Sequence, residues 1–386
     1  MRDGWGEIEL SQVLQLKNTK LGPHVDEPAI FAISKHEGVI LASDFFGKRI
    51  ASKNLDGYKI LEPRDWVYST IHIDEGSIAT NHHPHSGVVS PMYTTMSWFS
   101  EDNSAGYFEL LLRSSAAITI YGENAQGSIN RRRSLPFARF SQLKFSVPPL
   151  AEQQRIVDLI STVDSYIEAL RQQLESAKVS RNAVLHELLT AGGDGWVETP
   201  LVEAVEVLDR FRKPVNSTER EKRKGNVPYY GANGQTGWID DFLFNEELVL
   251  LGEDAIDFLD PNARKAYLIS GPSWVNNHAH ILRVLPERAV SYLLAEALNR
   301  VDYSQYVSFG TRSKLTQSSM NGIKILLPQL PEQKRIVDLI STVDSYIDAL
   351  EGQISSSTSL RSGLLSDLLS GNHEIPSSYD QLIGAA

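Results

Sequence analysis

Two stretches of sequence decide how this chain is built. Residues 150–170 run LAEQQRIVDLISTVDSYIEAL and residues 330–350 run LPEQKRIVDLISTVDSYIDAL. Eighteen of the 21 positions match at an offset of 180, with unbroken identity from Arg155 to Ile167 and from Arg335 to Ile347. The likeness thins but continues: Arg181 matches Arg361, and Leu185, Leu188 and Leu189 match Leu365, Leu368 and Leu369.

Each copy spaces its apolar residues alternately four and three apart. The first seam runs Ile156, Ile160, Val163, Ile167, Leu170, Leu174, Ala177, Arg181, Val184, Leu188. The second runs Ile336, Ile340, Val343, Ile347, Leu350, Ile354, Ser357, Arg361, Leu364, Leu368. A heptad seam sustained this long predicts a helix of about 40 residues, a rod of roughly 60 Å. Pro331, Glu152 and Glu332 suit a first turn, and Gly192, Gly193 and Gly371 supply stops. Each seam has the other as its natural partner. Antiparallel pairing would create a pseudo-two-fold axis and place a globular unit at either end. Arg181 and Arg361 occupy the same seam position; they either fix the register or snorkel at a frayed end. Val157, Leu159 and Tyr166, with Val337, Leu339 and Tyr346, widen the apolar stripe. They suit packing on the chain's own units or docking of an external subunit, and two like faces would fit two copies of one partner.

A second repeat opens each half. Gly4-Trp5-Gly6-Glu7 with Leu10 resembles Gly195-Trp196-Val197-Glu198 with Leu201, at an offset of 191. The organisation is therefore a globular unit over 1–149, a spacer helix over 150–191, a second unit over 192–329, a second helix over 330–371 and a tail over 372–386. The units show no convincing alignment with each other. Strand-like runs at Gly38–Leu41, Leu248–Leu251 and Ile323–Leu327, and a helix near Ser291–Arg300, make both α+β. Near-identical helices between divergent units fit one shared partner and two different things to be read. Recombination that copied one segment is the plainer alternative.

The 386 residues hold 41% hydrophobic residues, no cysteine and a formal charge of −11. Disulfides and thiolate metal sites are excluded. No apolar run predicts a membrane span and no h-region follows Met1, so the cytoplasm is the expected compartment. A charge of −11 opposes nucleic-acid binding until it is partitioned: residues 1–150 carry −1 and residues 192–330 carry −3, so each unit can still present a basic face.

Basic clusters stand between the strand-like runs. Arg131, Arg132 and Arg133 lead to Arg139 and Lys144. Arg210, Arg212 and Lys213 flank Phe211, and Arg220, Lys222, Arg223 and Lys224 follow. Arg312 and Lys314 follow a glycine. At the 180 offset Arg132 matches Arg312, Leu135 matches Leu315 and Lys144 matches Lys324. These residues suit phosphates and guanine edges, or simply a solvated face. Asn233 and Gln235, in the run Tyr229 to Trp238, could read adenine; a hairpin turning at Asn233-Gly234 is the competing reading. His82, His83 and His85, with Pro84 between them, lack a fourth ligand, so no metal is expected. Residues 122–128 (GENAQGS) lack the lysine of a P-loop, and no nucleophile elbow, zinc-protease or Pro-Pro-Tyr motif occurs. The chain reads as a binder without chemistry of its own.

Taken together, Pro148-Pro149-Leu150-Ala151-Glu152-Gln153-Gln154-Arg155-Ile156 and Pro328-Gln329-Leu330-Pro331-Glu332-Gln333-Lys334-Arg335-Ile336 resemble the specificity subunit of type I restriction-modification systems. Trp5, Trp196, the run Gly87 to Tyr93, the run Tyr229 to Gly237 and the run Trp274 to His280 support the resemblance. It implies two target recognition domains on a coiled-coil spacer and a bipartite, asymmetric site in double-stranded DNA. It also implies two methylation subunits carrying S-adenosylmethionine, and restriction subunits using ATP and magnesium, with no cofactor on this chain. A scaffold or DNA-mimic inhibitor without sequence readout is the alternative suggested by the net charge.

Overall fold

The computed structural model describes residues 4–22, 28–35, 37–46, 55, 57–127, 133–190, 192, 195–261, 263–307 and 313–383. The chain forms two compact units, Met1–Leu170 with Gln353–Ala386, and Arg171–Gly352. The first contains strands β1 (Gly6–Glu9), β2 (Leu14–Lys17), β3 (Phe31–Ser34), β4 (Gly38–Leu41), β5 (Lys59–Leu61), β6 (Trp66–Ser69), β7 (Ile78–Thr80), β8 (Gly87–Val89), β9 (Tyr93–Trp98) and β10 (Lys144–Val147). Its helices are α1 (Ala42–Phe46), α2 (Ala105–Leu112), α3 (Ser115–Asn124) and α4 (Phe137–Phe140), and the long α5 (Leu150–Thr190) follows. The second contains β11 (Val197–Pro200), β12 (Val205–Val207), β13 (Val227–Gly231), β14 (Gly234–Ile239), β15 (Phe244–Asn245), β16 (Leu248–Gly252), β17 (Ala266–Ile269), β18 (Pro272–Val275), β19 (Ala279–Val284) and β20 (Lys324–Leu327). Helices α6 (Leu201–Ala204), α7 (Ser217–Lys222), α8 (Ser291–Leu298) and α9 (Gln317–Asn321) belong with them; α10 (Leu330–Ser370) and α11 (Tyr379–Ile383) complete the chain. No helix among the described residues is long and apolar enough to cross a membrane.

The units share a topology that their sequences hide. The main sheet of the first is ordered β2-β9-β6-β7 and that of the second β12-β19-β16-β17. All pairs are antiparallel, and corresponding strands occur in the same chain order. An eight-residue helix follows each sheet. A buried tyrosine then closes it: Tyr121 donates to the Leu112 carbonyl at 2.9 Å, and Tyr303 donates to the Leu298 carbonyl at 2.8 Å. Inward positions of a sheet accept any apolar residue of suitable volume, so topology outlasts sequence there. The units differ in their added strands. The first carries the separate pairs β3·β4 and β5·β8, and the second a four-stranded sheet β14-β13-β18-β15.

The two sequence offsets meet in one strand pair per unit. Entry strand β1 pairs antiparallel with exit strand β10, and β11 with β20. The glutamate of each entry motif faces the lysine of each exit strand: Glu7 reaches Lys144 at 2.8 Å and Glu198 reaches Lys324 at 3.1 Å. Chain entry and exit are thus tied together before each long helix begins.

Each unit takes the first half of one long helix and the last half of the other, packed antiparallel. In the first unit Arg361 clasps Asp164 with two contacts, at 2.5 and 2.8 Å. In the second, Arg181 contacts Asp344 at 2.5 Å and also donates to the Tyr292 hydroxyl at 2.6 Å. Arginines and aspartates are themselves equivalent positions of the repeat, so one antiparallel register satisfies both pairs. Both arginines lie more than two turns inside their helices, which removes the frayed-end reading. Seam residues Ile156, Ile160, Ile336 and Ile340 are buried, but toward the end of α5 burial passes from Val184 and Leu188 to Leu185 and Leu189. A helix of 3.6 residues per turn drifts from a strict heptad, and the drift carries the seam onto the globular core. Gly371, in the left-handed region at φ 76°, ends α10 as its spacing predicts.

The repeated Glu-Gln has an internal duty. Gln153 is buried; its carboxamide oxygen accepts from the Ser104 amide at 2.8 Å and its nitrogen donates to Asn103 Oδ1 and to the Pro148 carbonyl, both at 2.9 Å. Gln333 accepts from the Val290 amide at 2.9 Å and donates to the carbonyls of Pro328 and Arg288 at 2.9 and 3.2 Å. Ser104 and Val290 are the N-cap residues of α2 and α8. One glutamine per unit therefore fixes the start of a long helix to the helix behind the sheet. Replacing it by leucine strands several buried backbone groups, so Gln333→Leu is expected to destabilise the second unit by about 3 kcal/mol. Hydrogen exchange should show the loss in α8 and the start of α10, with the first unit unaffected.

Candidate nucleic-acid interface

The basic residues singled out from the sequence divide by what surrounds them. The second unit's added sheet sets tyrosine beside tryptophan: Tyr229 of β13 and Trp274 of β18 are register partners in a parallel pair. Both are anchored from below. The Tyr229 hydroxyl donates to the Val215 carbonyl at 3.1 Å, and Trp274 Nε1 donates to the Lys213 carbonyl at 2.7 Å. With Val215 and Ile239 they form a small core of their own. An arginine lies over each ring, Arg220 at 4.5 Å from the Tyr229 centroid and Arg223 at 4.6 Å from that of Trp274. Arg223 also reaches Asp240 at 2.7 Å. Such a contact holds each guanidinium over a ring face and limits its rotamers.

Around this pair lie exposed cations and exposed rings. Lys213, Lys222 and Lys224 are exposed, as are Trp238 and Phe242 of the neighbouring hairpin region. Arg210 is exposed and lies 4.7 Å over Phe211, itself exposed. Ammonium groups for phosphates beside aromatic faces form a surface chemically suited to a nucleic acid. Trp238 and Phe242 escape sequence reasoning, because an apolar ring in a strand pattern is ordinarily assigned to the core.

Asn233 and Gln235 lie at the hairpin joining β13 and β14. The turn falls on Ala232 and Asn233, one residue earlier than the Asn233-Gly234 turn the sequence suggests, because Gly231 pairs with Gly234 and a register shift follows Tyr229. Gly234 takes φ 118°, which a side chain would resist. Asn233 donates to the Ala255 carbonyl at 3.0 Å, and Gln235 is exposed, donating to the Gly237 carbonyl at 3.1 Å.

Other candidates are taken up inside the protein. Arg212 is held by Glu253, by Asp209 at 3.3 Å and by the Ala279 carbonyl at 3.2 Å, so its charge is paired within the unit. Lys314 meets the same Glu253 at 2.9 Å. Arg133 caps carbonyls at the end of α3, donating to Gly122 and to Ala125, the latter at 3.1 Å, so its guanidinium is structural as well. Lys144 remains exposed but is paired with Glu7. Arg139 is exposed on α4. Arg131, Arg132 and Arg312 lie outside the described residues. The anchors beside them are visible: Leu135 and Leu315 are fully buried, and the Leu315 amide donates to the Glu253 carbonyl at 2.8 Å.

The docking candidates divide too. Val157, Leu159 and Val337 pack against the hydrophobic core of their own unit and so are occupied. Tyr166, Leu339 and Tyr346 are exposed. Of the three clustered histidines, His82 contacts Glu109 at 3.0 Å, while His83 stacks on Phe31 at 4.7 Å with the His85 ring 5.9 Å away, and donates to the Val39 carbonyl at 3.1 Å. His280 is buried between Asp209, at 2.6 Å, and the Leu315 carbonyl, at 2.9 Å. Among the described residues no three His, Asp or Glu side chains gather as metal ligands.

Glu253 is therefore the keystone of the segment that returns at Lys314. Burial pushes its carboxyl up, but hydrogen bonds from Arg212 and Lys314 outweigh that and leave it below the ordinary glutamate value of 4.5. A carboxylate lowered on folding stabilises above its unfolded pKa, and that contribution disappears as pH falls through the folded value. Acid unfolding of the second unit should therefore begin below about pH 4.5 and lose this component in Glu253→Gln. At neutral pH the same substitution removes one of the two carboxylates that hold Arg212, leaving Asp209, for an expected cost of about 2 kcal/mol, readable by urea unfolding.

Comparison with known proteins agrees with this architecture. Over 159 residues, or 41% of its length, the chain is 32% identical to a Haemophilus influenzae protein assigned as a type I restriction enzyme specificity subunit. It is 20% identical over 264 residues, 60% of its length, to the StySPI type I restriction enzyme specificity subunit of Salmonella potsdam. The matches take in 40% and 57% of those relatives, so the chain spans about half the length of the curated relatives it matches. A solved chain from a study of complex assembly and conformational transition in a type I R-M system shares the fold, with a TM-score of 0.60 at 16% identity, covering 96% of this chain and 98% of that one. The family model for the type I restriction modification DNA specificity domain matches residues 107–178 and 193–357, more than half of the sequence and parts of both units. The chain belongs to the type I restriction modification DNA specificity domain family.

Proposed function

We propose that this chain is the DNA-reading subunit of a type I restriction-modification complex, and that each unit reads one half of a bipartite site in double-stranded DNA. The observation that carries the reading is the surface of the second unit, where Arg220 and Arg223 lie over Tyr229 and Trp274 among exposed Lys213, Lys222 and Lys224. Lysines there would neutralise phosphates and set register, while Gln235 and the exposed Trp238, on the same hairpin, would meet base edges or groove walls. A DNA mimic would instead present carboxylates in place of phosphates, and the cations on this face argue against that role. The long helices would act as the spacer between readers, and the exposed Tyr166, Leu339 and Tyr346 would dock methylation subunits. Methyl transfer with S-adenosylmethionine, and cleavage with ATP and magnesium, would belong to the partner subunits, in the cytoplasm; this chain would contribute no catalytic group.

The reading predicts two behaviours. Lys222→Ala and Lys224→Ala should each weaken DNA binding uniformly across sequences and lower the slope of log affinity against log salt by about 1. Gln235→Ala should instead relax preference at one position; a uniform loss would return Gln235 to a structural role. The second behaviour concerns the helices. One heptad is removed from each at equivalent places, between Asp164 and Arg181 in α5 and between Asp344 and Arg361 in α10. Both arginine–aspartate pairs then keep their register while the rod shortens. The number of unread base pairs should change, as mapped from methylated adenines, and an unaltered spacing would refute the spacer role.

A further inference from the structure

The two copies of the helix-start sequence are nearly identical, yet they do not meet the same surroundings. In the first unit the tail after Gly371 folds back onto α5. Arg155 donates to the Ile375 carbonyl at 2.9 Å and pairs with Asp380 at 2.9 Å. Ile375 is buried in the same hydrophobic cluster as Ile156 and Ile160, and Leu159 and Tyr379 pack against that cluster. The side chain of Arg155 is 14% exposed. In the second unit the equivalent Arg335 is 73% exposed and turns to Glu332 of its own helix, and Leu339, the equivalent of Leu159, is 47% exposed. Further along, Tyr166 and Tyr346 are alike, at 53% and 52% exposed. At Arg155 the difference coincides with the tail's contacts.

We propose that the tail is a strap that makes two otherwise equal docking faces unequal: it occupies the Arg155–Leu159 face and leaves the Arg335–Leu339 face open. The proposal rests on the reading that methylation subunits dock on the repeated helices. A subunit that recognises this sequence would bind the second copy directly and the first only after displacing the tail. The tail's own chemistry indicates what the face accepts, an apolar side chain followed within a turn or two by a carboxylate for the arginine. Occupancy by the strap lowers apparent affinity by the fraction of time the face is open, so a strap closed about nine-tenths of the time weakens the first site about tenfold.

The test is a titration of the full chain with its cognate methylation subunit, followed by calorimetry and native mass spectrometry. Two binding steps separated by about tenfold are expected, and Asp380→Lys, which repels Arg155 but leaves Ile375 in the core, should bring them together by strengthening the weaker one. Truncation after Asn372 serves as a second variant, with the circular dichroism of the long helices checked first. Equal steps in the full chain, or unequal steps that Asp380→Lys leaves unchanged, would overturn the strap. Leu339→Asp separates the two ideas, because its side chain is exposed and its loss should abolish the tighter step. If both steps survive it, the docking reading fails; if it abolishes the tight step while the tail variants change nothing, the strap alone fails.

Discussion

A helix of forty-one residues cannot leave an apolar seam in water, and everything else in this protein follows from how that seam is covered. Each long helix gives its first half to one unit and its last half to the other, where it meets the opposite copy running the other way. Apolar seams alone would tolerate sliding by a heptad. The pairs Arg361–Asp164 and Arg181–Asp344 do not, because a slip would leave two part-buried guanidinium groups without carboxylates. Duplication made this simple: one Arg–Asp spacing, copied, yields both pairs.

Within each unit, segments distant in sequence close around the same junction. The entry strand pairs with the exit strand, and the next turn of chain delivers a buried glutamine to the N-cap of the helix behind the sheet. Near-identity of the helix starts thus has two sources. Gln153 and Gln333 are kept busy inside, whereas Tyr166 and Tyr346 face outward with no internal duty visible in their exposure. Only the outward set speaks for a common partner.

Charge behaves similarly. A net charge of −11 coexists with a cationic face because acids on the second unit are engaged by particular arginines and lysines: Glu253 by Arg212 and Lys314, Glu246 and Glu206 by Arg283. Of the two cations placed over Tyr229 and Trp274, Arg223 also meets Asp240, whereas Arg220 lies against its ring, and an aromatic ring positions a guanidinium without cancelling its charge.

By itself the sequence determined the twin helices, their seams, their stops and the existence of two α+β units, because periodicity and repetition are properties of the chain. Strands such as Leu248–Gly252 and the helix Ser291–Leu298 were legible for the same reason. Tertiary structure alone decided that the two units share one sheet topology, since buried apolar positions exchange freely and leave no sequence trace. It alone separated Arg212 from Arg220, two arginines in one basic run, because whether a charge is available depends on which carboxylate or ring the fold brings within reach. And it alone distinguished Arg155 from Arg335, identical residues in identical sequence, because a tail folds back onto one copy and engages the first arginine while the second turns to its own helix.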